Sequence, residues 1–317
     1  MKKSIGACLS VFCLFLLLLN PGLALKGARQ GLLLWADVVL PTLLPFMICS
    51  GLIVALDGIP VLTGPFSPVL TGFFHFSDQG SYVFLTGLLC GYPMGAKTVS
   101  DFLDSGRISE KEARYLLAVS NHPSPMFILG YAASRISAIP GISGSSHVLR
   151  TVILSLYLPV IPLSLLARKY YRYQGVNTVS RTGPFEKGSS HIPFSFDDHL
   201  MSCFETMVKI GGYIMLFSIL ALYLTVFPLP PVPFLRPVLL GFVEITTGIE
   251  AISRSVPDLA GALMITAASA FGGLSGLFQT KSVLKNAGLS IRHYMLWKLL
   301  HSGFACLIFY VVNLINY

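Results

Sequence analysis

The sequence predicts an all-α polytopic membrane protein, and three observations carry that reading. Charge is scarce: of 317 residues, 11% are charged and 54% apolar, with a mean hydropathy of +0.72. A soluble domain carries about 25% charged residues. Apolar runs close to the roughly 20 residues that cross a bilayer recur along the whole chain. Charge concentrates in two stretches, residues 101–114 and 168–199, which read as segments outside the apolar layer.

Taken in order, the apolar runs fall at residues 5–23, 32–56, 61–76, 83–99, 115–138, 148–167, 201–227, 234–252, 259–278 and 294–315. About 8–9 of them are expected to act as separate hydrophobic segments. The first follows Lys2-Lys3 and ends at Asn20-Pro21-Gly22-Leu23-Ala24, the layout of a cleavable signal peptide. It is expected to stay as an uncleaved helix, because the later spans complete the topology without cleavage. Residues 61–76 form a short run broken by Pro65 and Pro68, and are expected to be half-inserted. In residues 101–114, Ser109 followed by Glu112 is a capping box that opens a helix running into the next apolar run.

Arg168, Lys169, Arg172, Arg181 and Lys187 cluster after the 148–167 run. An excess of Lys and Arg marks cytoplasmic loops, so this loop is placed inside. Topology accounts for these residues without a lipid-binding role, and for the net charge of +8 without a nucleic-acid partner. The six cysteines show no Cys-x-x-Cys and no metal-ligand spacing, and are expected to be reduced packing residues. The predicted organisation is an N-terminal helix in 1–30, a first repeat with its following helix in 31–167, a basic cytoplasmic loop in 168–200, and a second repeat with a C-terminal helix in 201–317.

Each half has a long apolar run followed by two interrupted ones. In the first half the interruptions are 91–97 (GYPMGAK) and 120–125 (SNHPSP); in the second they are 244–248 (EITTG) and 271–276 (FGGLSG). Unwound backbone at membrane depth survives only inside protein or along a cavity. Paired broken segments in matching positions point to a transporter binding site between inverted repeats. At each break, helix N-termini present N–H groups that favour an electronegative solute.

Glu244, within LLGFVEITTG, is the sharpest single residue, because an ionisable group inside a membrane segment is costly. The competing reading is a structural carboxylate near a helix end, snorkelling or paired with Arg236 or Arg254. Glu250 lies nearer the segment end and ranks below it. Lys97 either meets an anionic solute, pairs with Glu244 across the halves, or anchors its own helix beside Asp101. Asn121 and Ser124 offer an amide and a hydroxyl to a solute, or serve a kink shaped by Pro123 and Pro125. Thr246 and Thr247 join this set as hydroxyl donors. Gln279 and Lys281, after the last break, are second-rank candidates. His122 is read as structural rather than as a proton carrier, and Arg135 as an interface residue.

No G-x-x-x-x-G-K-[ST], H-E-x-x-H or G-x-S-x-G occurs, so no enzymatic activity is expected. No cofactor is expected, and a coupling ion is left open. The glycines of 272–276 lie in an apolar run, where helix packing or a kink also accounts for them.

The stretch GYPMGAKTVSDFLDSGRISEKEARYLLAVSNHPSPMFILGY resembles the signature of the YlbJ-type sporulation integral membrane proteins, which carry a nucleoside-recognition (Gate) domain. LLGFVEITTGI and AFGGLSGLFQTKSVL resemble the second half of that pattern, and coverage runs from about Trp35 to the C-terminus. The resemblance implies a fold related to concentrative nucleoside transporters, with inverted repeats and re-entrant hairpins. It also implies a role in endospore formation and in passage of dipicolinic acid, a small aromatic dianion. The expected location is the cell membrane, in a spore-former the mother-cell or outer forespore membrane.

The leading expectation is therefore a transporter or permease for a small anionic or nucleoside-like solute, with dipicolinic acid foremost. Asn121, Ser124, Thr246, Thr247 and Gln279 would hydrogen-bond the solute, Glu244 would orient it or a coupling ion, and Lys97 would offset its charge. The expected partners are the solute and the bilayer, with a homo-oligomer left open. The alternative is a non-transporting scaffold of a sporulation complex, in which the breaks serve packing and the 168–199 loop binds a partner.

Overall fold

The computed structural model describes residues 2–142, 147–175, 195–284 and 288–315. The described residues form helices and turns without a strand. Among the described residues five helices are long and apolar enough to cross a membrane: Pro21–Ala55, Val148–Tyr170, Phe196–Val226, Asp258–Val283 and Ile291–Ile315. The chain is a multi-pass membrane protein.

Helix α1 (Lys2–Leu19) leads into α2 (Pro21–Leu34), which continues through a π-helical turn into α3 (Leu40–Ala55). The Asn20 side chain caps α2 by accepting from Leu23 N, and Pro21 stands at the first helical position, where its missing N–H costs nothing. A short α4 (Ile59–Thr63) and two further helical turns carry the chain to α5 (Asp78–Cys90), α6 (Met94–Asp104) and α7 (Glu110–Val119). Beyond a break, α8 (Pro125–Phe127) and a π-helical turn lead to α9 (Ala133–Ser137). Helices α10 (Val148–Tyr157) and α11 (Val160–Tyr170) form one crossing, and α12 (Phe196–Val226) the next. The last third comprises α13 (Leu235–Val243), α14 (Ile245–Ser255), α15 (Asp258–Phe271), α16 (Gly273–Val283) and α17 (Ile291–Ile315).

Named contacts sort these helices between two ends. The end of α11 carries Arg168, Lys169 and Arg172, and Arg168 donates to the Phe73 carbonyl at 3.2 Å. Tyr171 accepts from Trp297 Nε1 at 2.8 Å, so α17 begins at this basic end. Tyr173 bonds the His75 carbonyl at 3.0 Å, and Ser77 N donates to Glu112 at 2.8 Å, so α5 and α7 begin there too. At the opposite end Asp258 N reaches the Pro140 carbonyl at 2.9 Å, joining the start of α15 to the chain beyond α9.

A consequence is an inverted arrangement. Helix α5 enters from the basic end, breaks at Gly91-Tyr92-Pro93, and α6 packs back beside it to return. Helix α13 enters from the opposite end, breaks at Glu244, and α14 packs back beside it. Each hairpin precedes a broken but onward helix: α7 to α9 leaves the basic end, whereas α15 to α16 runs towards it. The second of these breaks rests on Gly272 and Gly273, whose φ of +86° and +68° are accessible to residues without a Cβ.

Two apolar cores flank the breaks. One, towards the basic end, includes Phe76, Tyr82, Leu116, Leu163 and Trp297. The other, towards the opposite end, includes Ile136, Val152, Ile249, Ile265 and Phe309. Buried Asn121, His122, Thr280, Lys298 and His301 form a polar layer among them.

Several expectations are corrected here. Residues 61–76 form short helical turns tied to the basic end, since Pro60, Pro65 and Pro68 deny the segment a continuous helix. Only half of the capping box forms: Ser109 Oγ accepts from Glu112 N at 3.2 Å, while the Glu112 carboxylate turns to Ser77 N of another helix. All six cysteines are free, yet Cys8, Cys13 and Cys49 are exposed on apolar helices rather than packed inside. Arg181 and Lys187 lie outside the described residues.

Candidate functional site

The four interruptions meet. Tyr92, at the tip of the α5/α6 hairpin, donates its N–H to the His122 carbonyl at 2.8 Å, joining the first break to the second. A Cβ added to Gly272 would lie 3.5 Å from the Tyr92 ring, so that ring covers the fourth break. A Cβ on Gly273 would sit 3.4 Å from the Val243 oxygen and the Ile245 nitrogen, on either side of Glu244, which places the third break against the fourth. On α6, Gly95 lies against the Ser120 carbonyl so closely that no side chain fits between them.

Asn121 is the junction of this layer. Its Oδ1 accepts from Ala96 N at 3.3 Å, while its Nδ2 donates to Thr280 Oγ1 at 3.3 Å and to the Tyr294 hydroxyl at 2.5 Å. It thereby ties α6, α16 and α17 together and is engaged within the protein. Ser124 caps α8 by accepting from Phe127 N at 3.2 Å. Gln279 donates to Ser275 Oγ at 2.9 Å, one turn back on α16.

Glu244 stands at the meeting point, 2% exposed, and serves as the cap of α14. Its carboxylate accepts from Thr246 N at 3.1 Å, Thr247 N at 2.8 Å and Thr246 Oγ1 at 2.6 Å. The positive end of α14 thus already holds an anion, that of its own chain. The Thr246 carbonyl accepts from the Tyr131 hydroxyl at 2.9 Å, a link between the two halves.

The alternative pairings of Glu244 are not formed. Lys97 bonds Asp101 at 2.6 Å on the next turn of α6, which makes it a helix anchor rather than a partner of Glu244. Arg254 pairs with Glu250, and Arg236 donates to the Thr225 and Phe227 carbonyls at 2.6 and 2.9 Å. Glu250 also binds Arg135 at 2.5 Å, so Arg135 makes a contact between the two halves. Lys281 lies 6.0 Å over the Phe278 ring on its own helix. His122 bonds the Val119 carbonyl and meets His301 edge to face at 4.9 Å, in keeping with a structural histidine.

Sequence reasoning missed Lys298. It is 3% exposed, in the middle of the polar layer, on the α17 stripe formed by Tyr294, Trp297, Lys298, His301 and Ala305. Its Nζ donates to the Asn121 carbonyl at 3.1 Å and lies 5.2 Å from the centroid of the Tyr92 ring. No ion pair joins Lys298 to a carboxylate among the described residues. An ammonium has three N–H donors, and one is accounted for. The hydroxyls of Tyr92 and Ser120 are buried without a hydrogen-bond partner among the described residues. The layer therefore holds unpartnered hydroxyls, able to donate or to accept, around one buried lysine. The signal available beforehand was a lysine inside the apolar 294–315 run, the same kind of cue that singled out Glu244.

A curated protein similar to this chain is the sporulation integral membrane protein YlbJ of Bacillus subtilis strain 168. The two are 25% identical over an alignment 321 positions long, which covers 90% of this chain and 76% of that one. No family model matches the chain, and no solved structure matches it.

Proposed function

We propose that this multi-pass membrane protein is a transporter or permease for a small anionic or nucleoside-like solute, with dipicolinic acid the leading substrate. The observation that carries the reading is Lys298: a buried lysine with no carboxylate partner among the described residues, placed where four broken helices converge. A buried charge of this kind calls for a compensating anion, and the Tyr92 and Ser120 hydroxyls add donors for its oxygens. The Tyr92 face suits a flat ring beside the charge. The inverted hairpins accord with the fold related to concentrative nucleoside transporters that the Gate-domain resemblance implies. The similarity to a sporulation integral membrane protein accords with a membrane role in sporulation, and the choice of dipicolinate over other anions rests on what the family resemblance implies.

In this reading Glu244, Asn121, Ser124, Thr246, Thr247 and Gln279 shape the site by holding the helix ends, while Lys298 and Tyr92 meet the solute. Lys97 acts at the edge of the hairpin. The scaffold reading draws on one observation, namely that so many polar groups at the breaks are engaged with one another.

Uptake of labelled dipicolinate and labelled uridine into proteoliposomes tests the proposal. Dipicolinate uptake well above that of empty liposomes, lost in Lys298→Met, is the expected result. Uridine uptake alone would keep a transporter and discard the anion. Movement of neither solute, in protein shown to be folded, would favour the scaffold.

A further inference from the structure

A cleft opens on the basic end between α7, the end of α11 and the start of α17, lined by Arg114, Ala118, Tyr171, His293, Tyr294 and Trp297. We infer that this cleft is the port through which an anionic solute reaches Lys298, an inference that rests on the transport reading above.

Three observations lead there. Tyr294 lines the cleft, yet its hydroxyl bonds Asn121 in the polar layer. Lys298 follows Tyr294 by four residues on α17, so it sits on the same helix face one turn deeper, roughly 6 Å along the axis. The cleft and Lys298 thus lie one helical turn apart on α17, with the Tyr294 side chain reaching from one to the other.

The lining chemistry suits an anion with a flat body. Arg114 offers a planar guanidinium, held by an exposed pair with Glu110 that contributes little and yields to a competing carboxylate. Tyr171 and Trp297 present rings at 6.0 Å centroid separation, with Tyr170 and His293 beside them. Aromatic faces and a guanidinium together select for ring-bearing carboxylates over small inorganic anions.

At the opposite end the two halves are held in contact. Glu250 of α14 is gripped by Arg135 of α9 and by Arg254, and Arg135 lies 5.3 Å over the Tyr131 ring. Tyr131 in turn bonds the Thr246 carbonyl at 2.9 Å beside the Glu244 cap. These contacts join the two halves on the far side of the polar layer. A solute at Lys298 in this state exchanges with the basic side.

The test uses full-length Ala118→Cys in sealed vesicles of both orientations, with a membrane-impermeant thiol reagent and labelling read at residue 118 by peptide mass mapping. Native cysteines stay in place because each site is read separately. Labelling is expected from the face bearing the basic loop and not from the other. Dipicolinate at about ten times its half-saturating concentration should slow it about tenfold, because only the empty fraction reacts. Tyr294→Cys serves as a second, deeper reporter with the same expected sidedness. Labelling of both reporters from the opposite face, or no protection by dipicolinate, overturns the port. Wild-type uptake judges transport separately, since labelling needs no net movement of solute. If transport holds, Arg114→Gln should raise the half-saturating concentration about tenfold at unchanged maximal rate; an unchanged value removes Arg114 from the port.

Discussion

The Lys298 ammonium donates to the Asn121 carbonyl across 3.1 Å, which ties the first third of α17 to the break that follows α7. That bond lets a cation sit 3% exposed beside a tyrosine face, with no carboxylate pairing it among the described residues. A residue so placed should matter more for binding than for folding.

Lys298→Met separates those two roles. Removing one member of a desolvated charge contact costs about 2 kcal/mol or more, so anion uptake should fall roughly 30-fold or further. Thermal stability in detergent should hold or rise, because the apolar replacement relieves a buried charge. A large fall in melting temperature with unchanged specific uptake would overturn the assignment.

Glu244 behaves as a cap in this structure, and its variants should show that. Glu244→Ala leaves two amides and a hydroxyl without their acceptor and should lower stability by about 1–2 kcal/mol, read by thermal unfolding. Glu244→Gln keeps one acceptor oxygen and should lose less, with uptake falling only as far as the folded fraction does. Abolished uptake at full thermal stability would return Glu244 to the role of solute or ion ligand.

Asn121→Ala should be among the most damaging changes at the centre. It removes the partner of Ala96 N, Thr280 and Tyr294 at once, in a residue 2% exposed. Each buried group left unsatisfied costs about 1–3 kcal/mol, so a loss of about 3 kcal/mol or more is expected in detergent unfolding. A loss under about 1 kcal/mol would show that the three helices are held together by other contacts.

Gly95→Ala tests the close approach of the first hairpin to the second break. The new methyl would press into the Ser120 carbonyl, and such overpacking typically costs about 1–3 kcal/mol. Because the obstacle is backbone, adding Ser120→Ala should bring no rescue in the melting temperature. Rescue would mean that the Ser120 side chain, and not its carbonyl, limits the approach.

The positions of the four breaks were legible because they rest on local chemistry. Pro93, Pro123 and Pro125 lack the N–H a helix requires, and Gly272 and Gly273 adopt left-handed backbone. The basic loop and the apolar runs were legible for a similar reason, since charge density and run length are properties of the chain itself. Lys298 was harder to see. In MLWKLLHS it stands near the start of an apolar run, where a lysine reads as an anchor at the interface. Its depth follows from α17 beginning at Ile291 and from the helices that pack around it.

The amino-acid sequence by itself determined that this chain is helical, crosses the membrane several times, and breaks its helices at four places, because the bilayer and the backbone enforce those features one segment at a time. Only the tertiary structure decided which polar groups answer one another. Glu244 found its donors on its own helix, Lys97 found Asp101, and Asn121 found three helices. Lys298 was left with a carbonyl and an aromatic face. Hydrogen bonding at membrane depth is settled by which groups meet in space, and residues as far apart as Asn121 and Lys298 meet only once the two inverted halves have closed on each other.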